Sequence, residues 1–195
     1  MEQIQIIDAS EFKTIAWKNG KGETTELAVS EGGSVDAFDW RLSIATVTQD
    51  GPFSDFTGYW RNLVLIEGQG IDLNHDQEYT DSLREVLEFT TFDGGSQTTG
   101  TLVDGTIRDF NIMSKQGLFI PQVSTFHDLE ALLLDESVLN FVYALEGGEI
   151  VVTINEQEQV IPATSLLRVN PSEDDNEIGI AISGRNLILI SLYPQ

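Results

Sequence analysis

Apolar and polar residues alternate with a period of two through much of the chain, which is the pattern of half-buried strands. The segment WRLSIA, residues 40–45, shows this clearly, because Arg41 and Ser43 share one face while tryptophan, leucine and isoleucine share the other. Similar segments recur about every 8 to 12 residues, and turn signals such as Asp50–Pro52 and Asp104 with Gly105 separate them. The pattern predicts an antiparallel all-β protein.

Two windows have helical spacing. They are DSLREVL at residues 81–87 and TFHDLEALLL at residues 125–134, of which the second begins with a capping threonine. We therefore expect few, short helices.

An internal repeat organises the predicted strands. Glu67 in VLIEGQGIDLN aligns with Glu146 in YALEGGEIVVTIN, and the same offset of 79 residues carries two other strand segments onto strand segments. Strands of this length suit jelly-roll barrels. The sequence predicts two fused antiparallel β-barrels at residues 35–116 and 117–195, with residues 1–34 adding strands that pack on either barrel.

The composition restricts the partners and the compartment. The 195 residues include 32 acidic and 10 basic side chains, for a net charge of -22, so nucleic acid and anionic membranes are not expected as partners. The chain has no cysteine, no apolar run of about 18 residues and no secretory signal in MEQIQIIDASEF. A cytoplasmic location is the expectation.

Metal and nucleophilic chemistry find little support. The two histidines, His75 and His127, are 52 residues apart, and the sequence context favours ordinary surface histidines. The chain contains no GxSxG elbow and no phosphate-binding loop. We expect no metal and no cofactor.

Polar groups projected from strands remain as candidates. The segment WKNGKGETTEL brings Trp17, Asn19 and Lys21 into one turn, which is typical either of a ligand site or of a simple hairpin. Arg41 and Arg61 are two of the few basic residues. Each of them is expected either to form an ion pair with a carboxylate of the protein or to bind a carboxylate ligand.

The segment RDFNIM adds two more candidates. Its alternation places Asp109 and Asn111 on one face with Met113. A buried Asn111 requires hydrogen bonds, either from a ligand or from a neighbouring strand.

Four motifs carry a resemblance to a known family. WKNGKGETTEL, FDWRLSIATVTQDGPFSDFTG, RNLVLIEGQG and RDFNIMSKQG, in this order across residues 15–117, resemble the HutD/Ves family of two-unit cupins. The resemblance implies a bicupin of two cupin-like barrels without metal histidines, linked to histidine utilisation and to binding a metabolite such as formylglutamate, with a regulatory role. The chain departs from the family pattern at Lys21, Thr25, Asp55 and Thr57.

The sequence thus predicts a metal-independent cupin that binds a small carboxylate metabolite. The predicted ligand-binding residues are Trp17, Asn19, Lys21, Arg41, Ser43, Arg61, Asp109 and Asn111. One alternative is a metal-free isomerase, lyase or hydrolase with Asp109 or Glu26 as general base. Another is a protein-interaction module in which NLILISLY docks a regulator or a second copy, giving a homodimer.

Overall fold

The computed structural model describes residues 3–17, 20, 22–34, 37–172 and 178–195. These residues form an all-β structure, as predicted, with one 3-10 helix at Ala9–Glu11. The strands are β1 (Ile4–Ile7), β2 (Lys13–Ala16), β3 (Gly22–Val29), β4 (Trp40–Val47), β5 (Gly51–Pro52), β6 (Tyr59–Glu67), β7 (Ile71–His75), β8 (Tyr79–Leu83), β9 (Phe89–Asp93), β10 (Thr98–Leu102), β11 (Ile107–Lys115), β12 (Phe119–Leu133), β13 (Leu139–Ile154), β14 (Gln157–Ile161), β15 (Leu166–Val169) and β16 (Ala181–Pro194). Within the described residues, no helix has the length and hydropathy needed to cross a membrane.

The chain divides into two compact units. The first unit is Phe12–Leu118, and the second unit consists of Met1–Glu11 together with Phe119–Gln195. The predicted N-terminal segment is therefore divided, because β1 pairs with β15 of the second unit while β2 and β3 join β4 of the first.

The first unit contains two antiparallel sheets. One sheet has the order β2-β3-β4-β11-β6-β9, and the other has the order β5-β10-β7-β8. Leu63, Leu65 and Ile107 of the larger sheet pack with Ile71 and Leu73 of the smaller one, and all five are fully buried. The described pairings leave both sheets open, where the sequence predicted a closed barrel.

The second unit repeats part of this topology. Its six-stranded sheet contains the order β12-β16-β13-β15-β1, with β14 paired to β13. The path β12-β16-β13-β15 corresponds to β4-β11-β6-β9 of the first unit, and the offset of 79 residues relates these strands in sequence. Here too the described pairings leave the sheet open.

Neither window with helical spacing forms a helix, and residues 81–83 of the first window lie in β8. Residues 125–134, which have helical spacing, lie mostly in β12, because pairing with β16 from Phe119 opposite Pro194 to Leu133 opposite Ala181 outweighs local propensity. The apolar NLILISLY segment lies in β16, where Leu187, Ile190 and the intervening side chains are buried. It forms core rather than a docking surface.

Candidate functional site

Strand register gathers five of the predicted site residues on one face of the larger first-unit sheet. Asn111 of β11 lies opposite Ser43 of β4 and Leu63 of β6, and Met113 lies opposite both Arg41 and Arg61. Residues two apart on a strand share a face, so Asp109 joins Asn111 there. We call this set, Arg41, Ser43, Arg61, Asp109 and Asn111, the inner-face cluster. All five side chains are buried, since this face packs against the smaller sheet.

Arg61 lies among aromatic rings. Its guanidinium carbon is 5.1 Å from the ring centroid of Phe53, 5.6 Å from that of Phe56 and 5.3 Å from that of Phe92. Such rings offer a cation–π attraction that partly offsets the loss of hydration. The contacts hold the guanidinium in one position, and they were not foreseen from sequence, because two of the rings come from the segment between β5 and β6.

A hydrogen-bonded chain links Arg61 to a buried carboxyl group. Arg61 Nη2 donates to Asn111 Oδ1 over 2.9 Å, and Asn111 Nδ2 donates to Asp109 Oδ1. Arg61 Nη1 reaches the carbonyl oxygen of Ser54 at 3.4 Å. Within the part of the chain that the structure describes, Arg61 Nε and Asp109 Oδ2 are buried and have no hydrogen-bond partner.

Burial shifts the pKa values of both charged groups. It lowers the pKa of Arg61 to about 10, although the negative charge of Asp109 acts in the opposite direction. It raises the pKa of Asp109 to about 7, against the charge of Arg61 and the hydrogen bond from Asn111. Arg61 thus stays cationic at neutral pH, whereas Asp109 changes protonation near it.

Arg41 has its own carboxylate partner. Its Nε donates to Oε2 of Glu26 over 2.7 Å, and Glu26 lies opposite Ser43 in the pairing of β3 with β4. The Arg41 side chain is 7% exposed and that of Glu26 is 20% exposed, so the pair lies closer to solvent than Asp109.

Of the three residues predicted in the N-terminal turn, the structure describes only Trp17, which has its own hydrogen-bond partner. Trp17 packs against the first-unit core, and its Nε1 donates to Thr24 Oγ1 over 2.7 Å. The indole therefore already has a hydrogen-bond acceptor. Asn19 and Lys21 lie outside the described residues.

The prediction that both histidines are surface groups is wrong for His75. Its side chain is fully buried at the end of β7, while His127 is exposed. Nδ1 is 2.9 Å from Thr98 Oγ1, and Nε2 is 3.2 Å from Asp81 Oδ2. Burial lowers the pKa of His75, against the attraction of Asp81. The missed signal was the alternation that β7 continues from Ile71.

The described residues offer little to a metal ion. They contain no group of three or more histidine, cysteine, aspartate or glutamate side chains arranged to hold one. A separate surface pocket of about 200 Å³ is lined in part by Phe38, Tyr59 and Lys115, and the inner-face cluster does not contribute to it. The inner-face cluster contains a guanidinium group and a carboxyl group, which are chemically suited to anion binding and to proton transfer.

Comparison with known proteins agrees with this architecture. The solved structure of HutD from Pseudomonas fluorescens SBW25 aligns with a TM-score of 0.82 and 28% sequence identity, covering 98% of this chain and 99% of that one. A cupin 2 conserved barrel domain protein from Leptotrichia buccalis aligns with a TM-score of 0.56 at 11% identity, covering 93% and 96% of the two chains. The fold is thus cupin-like.

Sequence relatives give the family. An uncharacterized 21.2 kDa protein in the hutC 3′ region of Pseudomonas putida is 30% identical over 187 residues, which cover 95% of each chain. Protein Ves of Citrobacter koseri is 34% identical over 114 residues, covering 58% of this chain and 59% of that protein. The HutD family profile matches residues 9–189. The chain therefore belongs to the HutD family.

Proposed function

We propose that the protein is a metal-independent cupin that binds a small carboxylate metabolite in its first unit, whose two sheets form a cupin-like barrel. The observation that carries the proposal is the pair of buried, unpartnered atoms Arg61 Nε and Asp109 Oδ2 on one inner face. A buried polar atom without a hydrogen bond costs about 1 to 3 kcal/mol, and more when the group is charged. A ligand with a carboxylate and a second polar group relieves that cost.

Arg61 is the principal anchor in this proposal. A guanidinium group binds a carboxylate through parallel N–H donors, and removal from water strengthens such a contact. The pKa of Arg61, about 10, leaves the group charged at neutral pH. Phe53, Phe56 and Phe92 fix its position, so little side-chain entropy is lost when the ligand binds.

Arg41 and Ser43 form the β4 side of the site. Because Glu26 already neutralises Arg41, this arginine attracts an anion less strongly than Arg61 does. Its role is to orient the ligand at the end of the cluster nearer to solvent. Ser43 lies directly opposite Asn111 and supplies a hydroxyl group beside it.

The ligand class follows from this inventory together with the family. The cluster offers one fixed cation, one paired cation, a carboxyl group and an amide, which suit an acid that also carries a neutral polar group. Formylglutamate has this chemistry, and relatives of this chain carry names from histidine utilisation genes. We propose a formylglutamate-like ligand and a regulatory role in that pathway, within the cytoplasm.

Isothermal titration with N-formylglutamate, glutamate, succinate and acetate tests the proposal. We expect wild-type binding, and a loss of roughly 30-fold or more in affinity for Arg61→Gln, equivalent to about 2 kcal/mol. Arg41→Gln is expected to lose less. Arg108→Gln is the matched control, since Arg108 is 39% exposed and pairs with Glu67.

Thermal unfolding of each variant separates lost binding from lost folding. No binding of any of these acids to the folded wild-type protein would refute the proposal. Unchanged binding by a folded Arg61→Gln protein would do the same.

A second candidate function rests on Asp109. A carboxyl group with a pKa of about 7 suits general acid–base catalysis at neutral pH, so a metal-free isomerase, lyase or hydrolase is the alternative. Glu26 fits that role less well because Arg41 holds it in an ion pair. Turnover of N-formylglutamate that Asp109→Asn abolishes, with binding retained, would favour the enzyme.

A further inference from the structure

Asp109 and Arg61 form an indirect pair. They meet only through Asn111, whereas Arg41 contacts its own partner, Glu26, at 2.7 Å. Of the two arginines in the inner-face cluster, Arg61 therefore has the less direct compensation.

The groups around Asp109 come from several strands. Arg61 of β6, Arg41 of β4 and Glu26 of β3 share its face of the sheet. His75 of β7 lies beyond Phe92, whose ring centroid is 4.6 Å from that of the imidazole. Burial lowers the pKa of His75 and keeps it neutral near pH 7. The protonation state of Asp109 therefore sets the charge of the inner end of the cluster.

The two oxygens of Asp109 have different surroundings. Oδ1 accepts a hydrogen bond from Asn111, but Oδ2 has no partner within the described residues and the side chain is fully buried. An ionised oxygen in such a place needs donors, whereas a protonated one needs a single acceptor. An oxygen atom of a bound carboxylate is such an acceptor.

We propose that Asp109 receives the ligand as a neutral carboxylic acid, so that one carboxylate and one proton bind together. The proton lies on Oδ2 and is donated in a hydrogen bond to the ligand, while the carboxylate of the ligand meets Arg61. This deepens the proposed function and rests on it.

Charge balance gives the physical reason. If Asp109 is ionised, the ligand carboxylate and the Asp109 carboxylate are two buried negative charges beside Arg61. The single positive charge of Arg61 then compensates only one of them. With a protonated Asp109, the ligand and Arg61 neutralise each other. The pKa of Asp109 is about 7 without ligand, so protonating this group at neutral pH costs little free energy. The negative charge of a bound anion raises that pKa further.

The inference also makes Asp109 a determinant of specificity. The site selects a ligand whose carboxylate both contacts Arg61 and accepts a hydrogen bond from Asp109 Oδ2. A ligand with a neutral amide in place of that carboxylate brings no negative charge. Asp109 then stays ionised and compensates Arg61, so the amide ligand binds without taking up a proton.

Calorimetry of the wild-type protein tests the proposal without any variant. N-formylglutamate and acetate are titrated in two buffers that differ in ionisation enthalpy at each pH, MES and Bis-Tris at about pH 5.5 and HEPES and Tris at about pH 8. We expect the number of protons taken up per bound ligand to be near zero at about pH 5.5 and near one at about pH 8. The apparent Kd should rise about tenfold per pH unit above pH 7.

Asp109→Asn supplies the second arm. Asparagine keeps a neutral donor, so this variant should take up no proton and show the same affinity at both pH values. The matched control is Asp104→Asn, in an exposed turn, which should keep the wild-type uptake.

The outcomes are separable from those of the proposed function. Binding without proton uptake at pH 8 would overturn the inference and leave ligand binding intact. Wild-type uptake in Asp109→Asn would overturn it too, because the proton would then reside on another group. Failure of N-formylglutamate, acetate, glutamate and succinate all to bind at either pH would overturn the inference and the proposed function together.

Discussion

Arg61 Nη2 donates a hydrogen bond to Asn111 Oδ1 across 2.9 Å, although the two residues are fifty positions apart in sequence. The contact exists because β6 and β11 are adjacent antiparallel strands and Asn111 lies opposite Leu63. Asn111 in turn donates to Asp109 and so joins a cation to an acid. The asparagine is the structural centre of the cluster, since both of its polar atoms are used by charged groups.

Replacing Asn111 tests this central role. Asn111→Leu has similar volume but leaves one Arg61 donor and one Asp109 acceptor unpaired in the interior, at a cost of about 3 kcal/mol. Urea unfolding followed by circular dichroism measures the loss. Asn74→Ala is the control: Asn74 bonds to Thr80 Oγ1 at a more exposed place, so we expect a loss of about 0.5 kcal/mol. Equal losses would show that the buried chain contributes nothing special.

Asp109 gives the folded protein a specific pH dependence. Its pKa is about 7 in the folded state and 3.8 ordinarily, so folding favours the protonated form. Its contribution to stability is therefore fully present below pH 3.8 and is lost as pH rises through 7. Other carboxylates titrate in the same range, but the difference between Asp109→Asn and wild type isolates this group.

We expect the unfolding free energy of Asp109→Asn, minus that of wild type, to increase from about pH 4 to about pH 7 and then to level off. Urea titrations at intervals of one pH unit give this difference. Asp104→Asn should show a flat difference. A difference for Asp109→Asn that falls with pH would show that the folded protein favours the ionised group.

Glu136 in the second unit behaves in the opposite way. It is 2% exposed, and its carboxylate accepts hydrogen bonds from the backbone N–H groups of Ile178, Gly179 and Ile180 and from Gln3 Nε2. Burial acts to raise the pKa of Glu136, but these hydrogen bonds outweigh it and hold the pKa below the ordinary value. Its contribution is present above pH 4.5 and is lost as pH falls through the folded pKa.

Glu136→Ala leaves the three backbone donors without this acceptor, and we expect a loss of about 3 kcal/mol at neutral pH. Glu136→Gln keeps one acceptor oxygen and should lose less. Glu158→Ala, at an exposed position of β14, is the control. Thermal and urea unfolding measure all three. A loss for Glu136→Ala no larger than that of the control would show that the carboxylate does not hold residues 178–180 in place.

Part of the cluster is readable from sequence because strand alternation is local. The patterns WRLSIA and RDFNIM each assign a face, and the structure places Arg41 with Ser43 and Asp109 with Asn111 accordingly. Register between strands is not local. No sequence pattern indicates that β11 lies between β4 and β6, which is what brings Arg61 to Asn111.

Other features could not be predicted from the sequence, for different physical reasons. His75 continues the buried alternation of β7, but its polar neighbours in LNHDQEY favour a turn. The rings of Phe53 and Phe56 reach Arg61 from the segment between β5 and β6, whose path depends on tertiary packing. Residues 125–134 have helical spacing, yet β16 pairs with most of them over a long register.

Removing the negative charge of Glu26, the ion-pair partner of Arg41, should increase the affinity for the ligand. Glu26→Gln leaves Arg41 with an uncompensated charge at the more exposed end of the cluster, so carboxylates should bind about fivefold more tightly, equivalent to about 1 kcal/mol. The gain should shrink in 0.5 M salt, because ions screen a partly exposed charge. Glu67→Gln is the matched control, since it frees Arg108 from a similar, more exposed pair. Titration with N-formylglutamate measures both variants. Weaker binding by Glu26→Gln would show instead that Glu26 is needed to position Arg41 for the ligand.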